Sequence, residues 1–273
     1  MAKVLLTAAL RGEYEQLFNS CQIRPARAAE VEALVERIED NQPRYAEVGK
    51  ALGIPWGFIG VVHCMESGLR FDRHLHNGDP LTARTVQVPA GRPKEGKPPF
   101  TWEESAEDAL RLKRLGAATD WSLAGTLYQL EAYNGFGYRL YHPHVLSPYL
   151  WSYCNHYQSG KYVQDGTWSD SAQSRQCGAA VLLRRMAERG LLEFVDQPKP
   201  SAAQPLLVNY SMSLSEDAAE VRRVEELQTW LNSFPGVFVK IDGVPGKRTS
   251  EAWRLVTGAY LPGDPRARRR AAA

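Results

Sequence analysis

No apolar run in this 273-residue chain approaches the roughly 20 residues of a membrane span, so stable membrane insertion is not expected. The start, Met1-Ala2-Lys3-Val4-Leu5-Leu6-Thr7-Ala8-Ala9-Leu10, has an apolar core shorter than that of most signal peptides, which predicts synthesis in the cytoplasm without a cleaved leader. A surplus of one charge is also missing. With 33 basic and 31 acidic residues the formal charge is +2, and nothing in that balance demands nucleic acid. Cysteine is scarce: Cys21, Cys64, Cys154 and Cys177 lie far apart with no C-x-x-C pair, which argues against a zinc knuckle or a redox motif and for buried thiols. No H-E-x-x-H and no G-x-S-x-G occur. His74-x-His76 and His142-x-His144 leave a metal peptidase as a minor alternative, and a Ser-His-Asp hydrolase is less favoured still.

What the chain has is an ordinary globular composition, 44% hydrophobic with 10% aromatic residues, and a long apolar run that ends in an acid. Ile54-Pro55-Trp56-Gly57-Phe58-Ile59-Gly60-Val61-Val62-His63-Cys64-Met65 leads into Glu66-Ser67-Gly68. Pro55 suits a first helical turn and Gly68 a helix stop, so Glu66 is expected in the last turn. A carboxyl group set among apolar side chains, near the negative end of a helix dipole, keeps its proton toward neutral pH and can serve as a general acid.

Helices are expected over 28–38 and 45–52, from the apolar spacing, and from the Thr101/Glu104 capping box to near Gly116. Others are expected from Trp121 to about Tyr133 and from about Asp170 to Arg189. Residues 69–76 and 81–88 alternate like strands around Asn77-Gly78, predicting a β-hairpin weakened by Pro80. The predicted class is therefore mainly α, an α+β body with one small hairpin after the acid helix. Domain boundaries are expected at 1–195 for the body, 196–215 for a Pro-rich linker, 216–265 for a small three-helix module and 266–273 for a basic tail, with Arg266, Arg268, Arg269 and Arg270 disordered.

Asp79, on the hairpin, is a candidate second carboxylate across a groove from Glu66, and Asp72 competes with it; capping of the Asn-Gly turn is as good an account of Asp79. Two carboxyl groups flanking a cleft are the requirement for glycosidic bond cleavage. With Glu66-Ser67 and Ala132-Tyr133-Asn134-Gly135-Phe136-Gly137 in this order and separation, residues 50–190 resemble the lysozyme superfamily, especially goose-type lysozymes and soluble lytic transglycosylases. The resemblance implies a lysozyme-like helical fold, Glu66 as general acid, Asp79 as second acid with Thr85 as its positioning partner, and Ser67, Tyr133 and Asn134 along the sugar groove. Absence of a Gly-Leu-Met-Gln stretch favours hydrolysis over the transglycosylase reaction.

Glu226-Leu227-Gln228, Leu231, Asp242-Gly243, Gly246 and Thr249 resemble the peptidoglycan-binding type 1 domain, which implies Gln228, Asp242 and Thr249 as that module's residues. A helical hairpin that packs on the body is the plainer alternative. Together these features predict a monomeric muramidase acting on peptidoglycan glycan strands without a cofactor. It would reach the periplasm or the wall by export or holin release, and its mild basicity would suit that polyanionic target. A lytic transglycosylase, a chitin- or chitosan-degrading enzyme and a non-catalytic wall-binding protein are the alternatives.

Overall fold

The computed structural model describes residues 4–164, 166–194, 208–234 and 236–267. Among them the chain is mainly helical. In order it forms α1 (Ala8–Asn19), α2 (Ala28–Asp40), α3 (Gln42–Leu52), α4 (Trp56–Ser67), α5 (Trp102–Leu112), α6 (Leu123–Asn134), α7 (Gly137–Tyr141), α8 (Pro148–Trp151), β1 (Lys161–Gln164), β2 (Thr167–Ser169), α9 (Ala179–Glu188), α10 (Ala218–Leu231) and α11 (Lys247–Thr257). The two strands form one antiparallel pair with a register shift after Tyr162. The chain divides into two compact units: one runs up to Tyr14 and from Cys21 to Arg185, the other takes Glu15–Ser20 and the chain from Met186 onward. No single described helix is long and apolar enough to cross a membrane.

The first unit is built around α4. Every residue from Gly57 to Met65 is buried, as an all-round apolar helix requires. α4 packs against α2 and α3, and Gly60 permits the approach: a methyl group there would stand 2.6 Å from Ile38 Cγ2. Pro55 lies just outside the helix at its N-cap, and Gly68 ends it in the left-handed conformation at φ 61°. The capping box forms as expected, with the Thr101 hydroxyl accepting from the Glu104 amide and the Glu104 carboxylate accepting from the Thr101 amide. α5 stops at Leu112, before Gly116, because Arg114 already turns left-handed at φ 58°. All four cysteines are buried, and none is in a disulfide.

Two expected elements take another form. The hairpin over 69–88 is a turn-rich loop with only an isolated bridge between Arg73 and Pro80. Pro80 has no N–H for a ladder, and the amides of Val86 and Gln87 go to the Asp79 carboxylate instead of to a neighbouring strand. The helix expected from Asp170 begins only at Ala179. Thr167–Ser169 are drawn into the sheet, and Gly178 passes so close to backbone that a Cβ would fall 2.2 Å from the Leu150 carbonyl oxygen.

The second unit has its own core, with Val224, Leu227 and Leu231 of α10 against Ala252, Trp253 and Val256 of α11. Residues 208–267 hold two described helices, not three. Between them the loop is held by side-chain amides: Asn232 Nδ2 donates to the Val239 carbonyl and its Oδ1 accepts from the Val239 amide, both at 2.9 Å. Residues 196–207 of the expected linker lie outside the described residues. Val208 is buried in this core and the Tyr210 amide donates to the Pro262 carbonyl, so 208–215 belong to the module. Arg266, expected in a disordered tail, is paired with Asp264 at 2.7 Å and Glu251 at 2.9 Å; Arg268, Arg269 and Arg270 lie outside the described residues.

Candidate functional site

Glu66 stands in the last turn of α4, half-buried where the apolar helix reaches the surface. Burial raises its carboxyl pKa above the ordinary value, and the hydrogen bond from Tyr149 and the charge of Lys113 only partly offset that rise. The negative end of the helix acts in the same direction as burial. Tyr149 Oη donates to Glu66 Oε1 at 2.8 Å, and burial keeps that phenol protonated. One residue earlier, the Met65 carbonyl accepts from Gln176 Nε2 at 2.7 Å. After the acid the chain turns sharply, with Gly68 and then buried Leu69 both at positive φ. A left-handed leucine is a strained residue of the kind found beside functional groups.

Tyr149 and Gln176 both line a cavity of about 580 Å³, together with Asn134, Tyr138, Lys161 and Tyr162 among others. Tyr149 thus links the acid to a recess large enough for sugar rings, which Glu66 itself does not line. Burial, and then the nearby Glu66 charge, raise the pKa of Tyr133, and Lys113 caps it: Nζ donates to the Tyr133 carbonyl at 3.3 Å and lies 4.4 Å from the ring centroid. Asn134 is exposed at the cavity edge. Glu66, Tyr133 and Asn134 are thus brought together, whereas Ser67 turns inward and donates to the His63 carbonyl at 3.3 Å.

The Asn77-Gly78 turn abuts the acid helix, since a methyl group on Gly78 would stand 3.8 Å from the Glu66 carbonyl oxygen. Next to it, Asp79 is 7% exposed, and its Oδ2 accepts from the amides of Gln87 at 3.0 Å and Val86 at 2.8 Å and from Asn77 Nδ2 at 3.1 Å. These donors, led by the Gln87 amide, hold the carboxyl below its usual range, so it stays ionised. Thr85 is buried in the same loop, its hydroxyl donating to the Pro89 carbonyl at 2.5 Å and accepting from the Arg92 amide at 2.9 Å. Asp72 is exposed and paired with Arg70 at 2.8 Å.

The histidines have other occupations. His74 and His76 both turn into α5, His74 Nδ1 to Ser105 Oγ at 2.8 Å and His76 Nε2 to Asp108 Oδ2 at 2.7 Å. Ser105, His76 and Asp108 form a chain like a hydrolase triad, yet Ser105 is fully buried and its Oγ also meets His74, so no substrate reaches it. His142 stacks on Trp168 at 3.5 Å. Among the described residues no group of three or more His, Cys, Asp or Glu could hold a metal ion. His63, in the core beside Tyr45 and Trp102, has its pKa pushed down to about 4 by burial.

In the second unit, Gln228 is fully buried and unites its two companions. Its Nε2 donates to Asp242 Oδ1 at 2.8 Å and to Thr249 Oγ1 at 3.2 Å, while its Oε1 accepts from the amides of Asp242 and Gly243. These three residues pin a loop; Gln228 and Thr249 are buried, and Asp242 is half-buried.

Sequence reasoning missed Tyr149, Gln176 and the β1–β2 hairpin. Tyr149 stood in a run of aromatic residues with nothing to separate a core ring from one facing a recess, and a lone glutamine carries no signal. Comparisons with protein-family models, with curated proteins and with solved structures find no match for this chain.

Proposed function

We propose that the chain is a peptidoglycan-cleaving muramidase, hydrolysing the β-1,4 bond between N-acetylmuramic acid and N-acetylglucosamine with Glu66 as the general acid. The observation that carries this is a carboxyl group with a raised pKa, bonded to a tyrosine that lines a sugar-sized cavity. A proton retained on Glu66 passes to the glycosidic oxygen as the bond to the leaving sugar breaks, Tyr149 steadies the carboxylate that remains, and a water molecule then adds to the cationic sugar carbon and returns its proton to Glu66.

Asp79 suits the complementary part. A carboxylate kept ionised by three donors is a poor base and a good fixed negative charge, so its role is to stabilise the cationic sugar centre. Thr85 contributes by holding the 85–92 loop on which the Val86 and Gln87 amides sit. Tyr133 and Asn134 border the groove. The second unit, with Gln228, Asp242 and Thr249 as its internal brace, would hold the enzyme on the wall and raise the local concentration of substrate.

Digestion of purified sacculi with mass analysis of the products tests this directly. Wild-type protein is expected to release fragments with reducing ends, and Glu66→Gln to lower the rate by at least about a hundredfold, the scale of a lost general acid. Undiminished lysis by Glu66→Gln removes the assignment. Anhydro-sugar ends would make the enzyme a lytic transglycosylase, and binding without soluble fragments a wall-binding protein.

A further inference from the structure

The cavity beside Tyr149 has an uneven charge. Its described lining includes the neutral polar groups of Asn134, Gln164, Ser174 and Gln176 and no carboxylate, and Lys161 is the one charged side chain among them. Lys161 opens β1 and is half-buried. No described residue offers its ammonium an ion pair or a hydrogen bond, whereas Arg70, Arg92, Arg139 and Arg185 in the same unit all have carboxylate partners. A cation with no partner among the described residues, in a recess of hydrogen-bonding groups, is a site for an anion that arrives with the ligand. A lysine on an edge strand also serves to block strand pairing, but that role calls for a side chain in open solvent.

Resting on the muramidase assignment above, we propose that this cavity takes a stretch of the amino-sugar polymer whose lactyl groups carry no stem peptide and are therefore free carboxylates, and that Lys161 pairs with one of them. The site then selects stem-free, acidic wall glycan over a neutral polymer such as chitin. Tyr138 and Tyr162, which line the same recess with ring centroids 5.6 Å apart, supply flat apolar surface for the sugar rings, so Lys161 sets selectivity and not the bulk of the affinity.

The test is calorimetric binding to the full-length chain carrying Glu66→Gln, which prevents turnover. The ligands are an N-acetylglucosamine–N-acetylmuramic acid tetrasaccharide with free lactyl carboxylates and its methyl ester. The acid form is expected to bind about fivefold more tightly at low salt, the size of one partly screened ion pair, with the advantage shrinking as salt rises. Adding Lys161→Met should abolish the preference while leaving affinity for the ester unchanged, and Lys161→Arg should keep it. Equal binding of the two ligands, or a preference that survives Lys161→Met, overturns the inference. If wild-type protein still lyses sacculi in that case, the enzyme assignment stands without it; absence of both lysis and binding sinks the two together.

Discussion

Two carboxyl groups a short distance apart in sequence are driven in opposite directions by their surroundings. Glu66 has apolar neighbours and one phenol, and its pKa rises; Asp79 has three N–H donors on one oxygen, and its pKa falls. In the proposed mechanism the protonated form of Glu66 is the active one, so the rate is expected to fall as pH climbs through its raised pKa. Tyr149→Phe removes a donor that favours the carboxylate, so the pKa rises further and the alkaline limb of the pH–rate profile moves to higher pH. The same change slows proton donation by about tenfold, the cost of one hydrogen bond to a forming charge. A profile that stays put, or moves to lower pH, contradicts the pairing. For the second carboxylate, Asp79→Asn should lower turnover far more than Asp72→Asn, which should stay within about twofold of wild type because an exposed ion pair contributes little. Steady-state rates on sacculi decide the order. Glu66 was legible from its position at the end of a greasy helix. Tyr149 was not, because its value lies in a contact across 83 residues of sequence.

At the level of helices and loops, what could be read in advance was whatever local chemistry decides. The apolar spacing of α2, the Thr101/Glu104 box of α5 and the glycine after α4 all appear at their expected places. The 69–88 segment departs because a side chain, Asp79, takes backbone amides that alternation alone assigns to a strand partner. The start of α9 departs because Gly178 is fixed by backbone from α8, a constraint with no local trace. Glycine at two helix-related sites therefore predicts opposite outcomes. Gly12 lies inside α1 with nothing within 4 Å of an added Cβ, so Gly12→Ala should stabilise by about 0.5–1 kcal/mol. Gly178→Ala drives a methyl group onto a carbonyl oxygen that cannot swing aside, and a loss of about 3 kcal/mol is expected. Thermal midpoints of the two variants, one up and one down, are the check; a tolerated Gly178→Ala would refute the close approach.

For the whole molecule, two cores in two compact units imply two separable stabilities. Gln228 braces the second through both ends of one buried amide, so Gln228→Leu strands several polar groups and should destabilise that unit by about 3 kcal/mol. Cleavage of a soluble oligosaccharide should be unaffected, while retention on sacculi falls. Equal loss of both would mean that the second unit takes part in the chemistry. The module's motif residues were visible in sequence, yet their work is internal, because a pattern of Leu-Gln, Asp-Gly and Thr records what keeps a small fold together as readily as what it holds.

The spacing of the groups around the acid has a bearing on the cell that makes the protein. The phenol that completes residue 66 is translated 83 residues after it, and the amide that fastens the neighbouring carbonyl lies 111 residues beyond its acceptor. An interrupted or clipped chain would carry the proton donor without the company that tunes it. Under the proposed activity, only a chain extended past Gln176 could harm its maker.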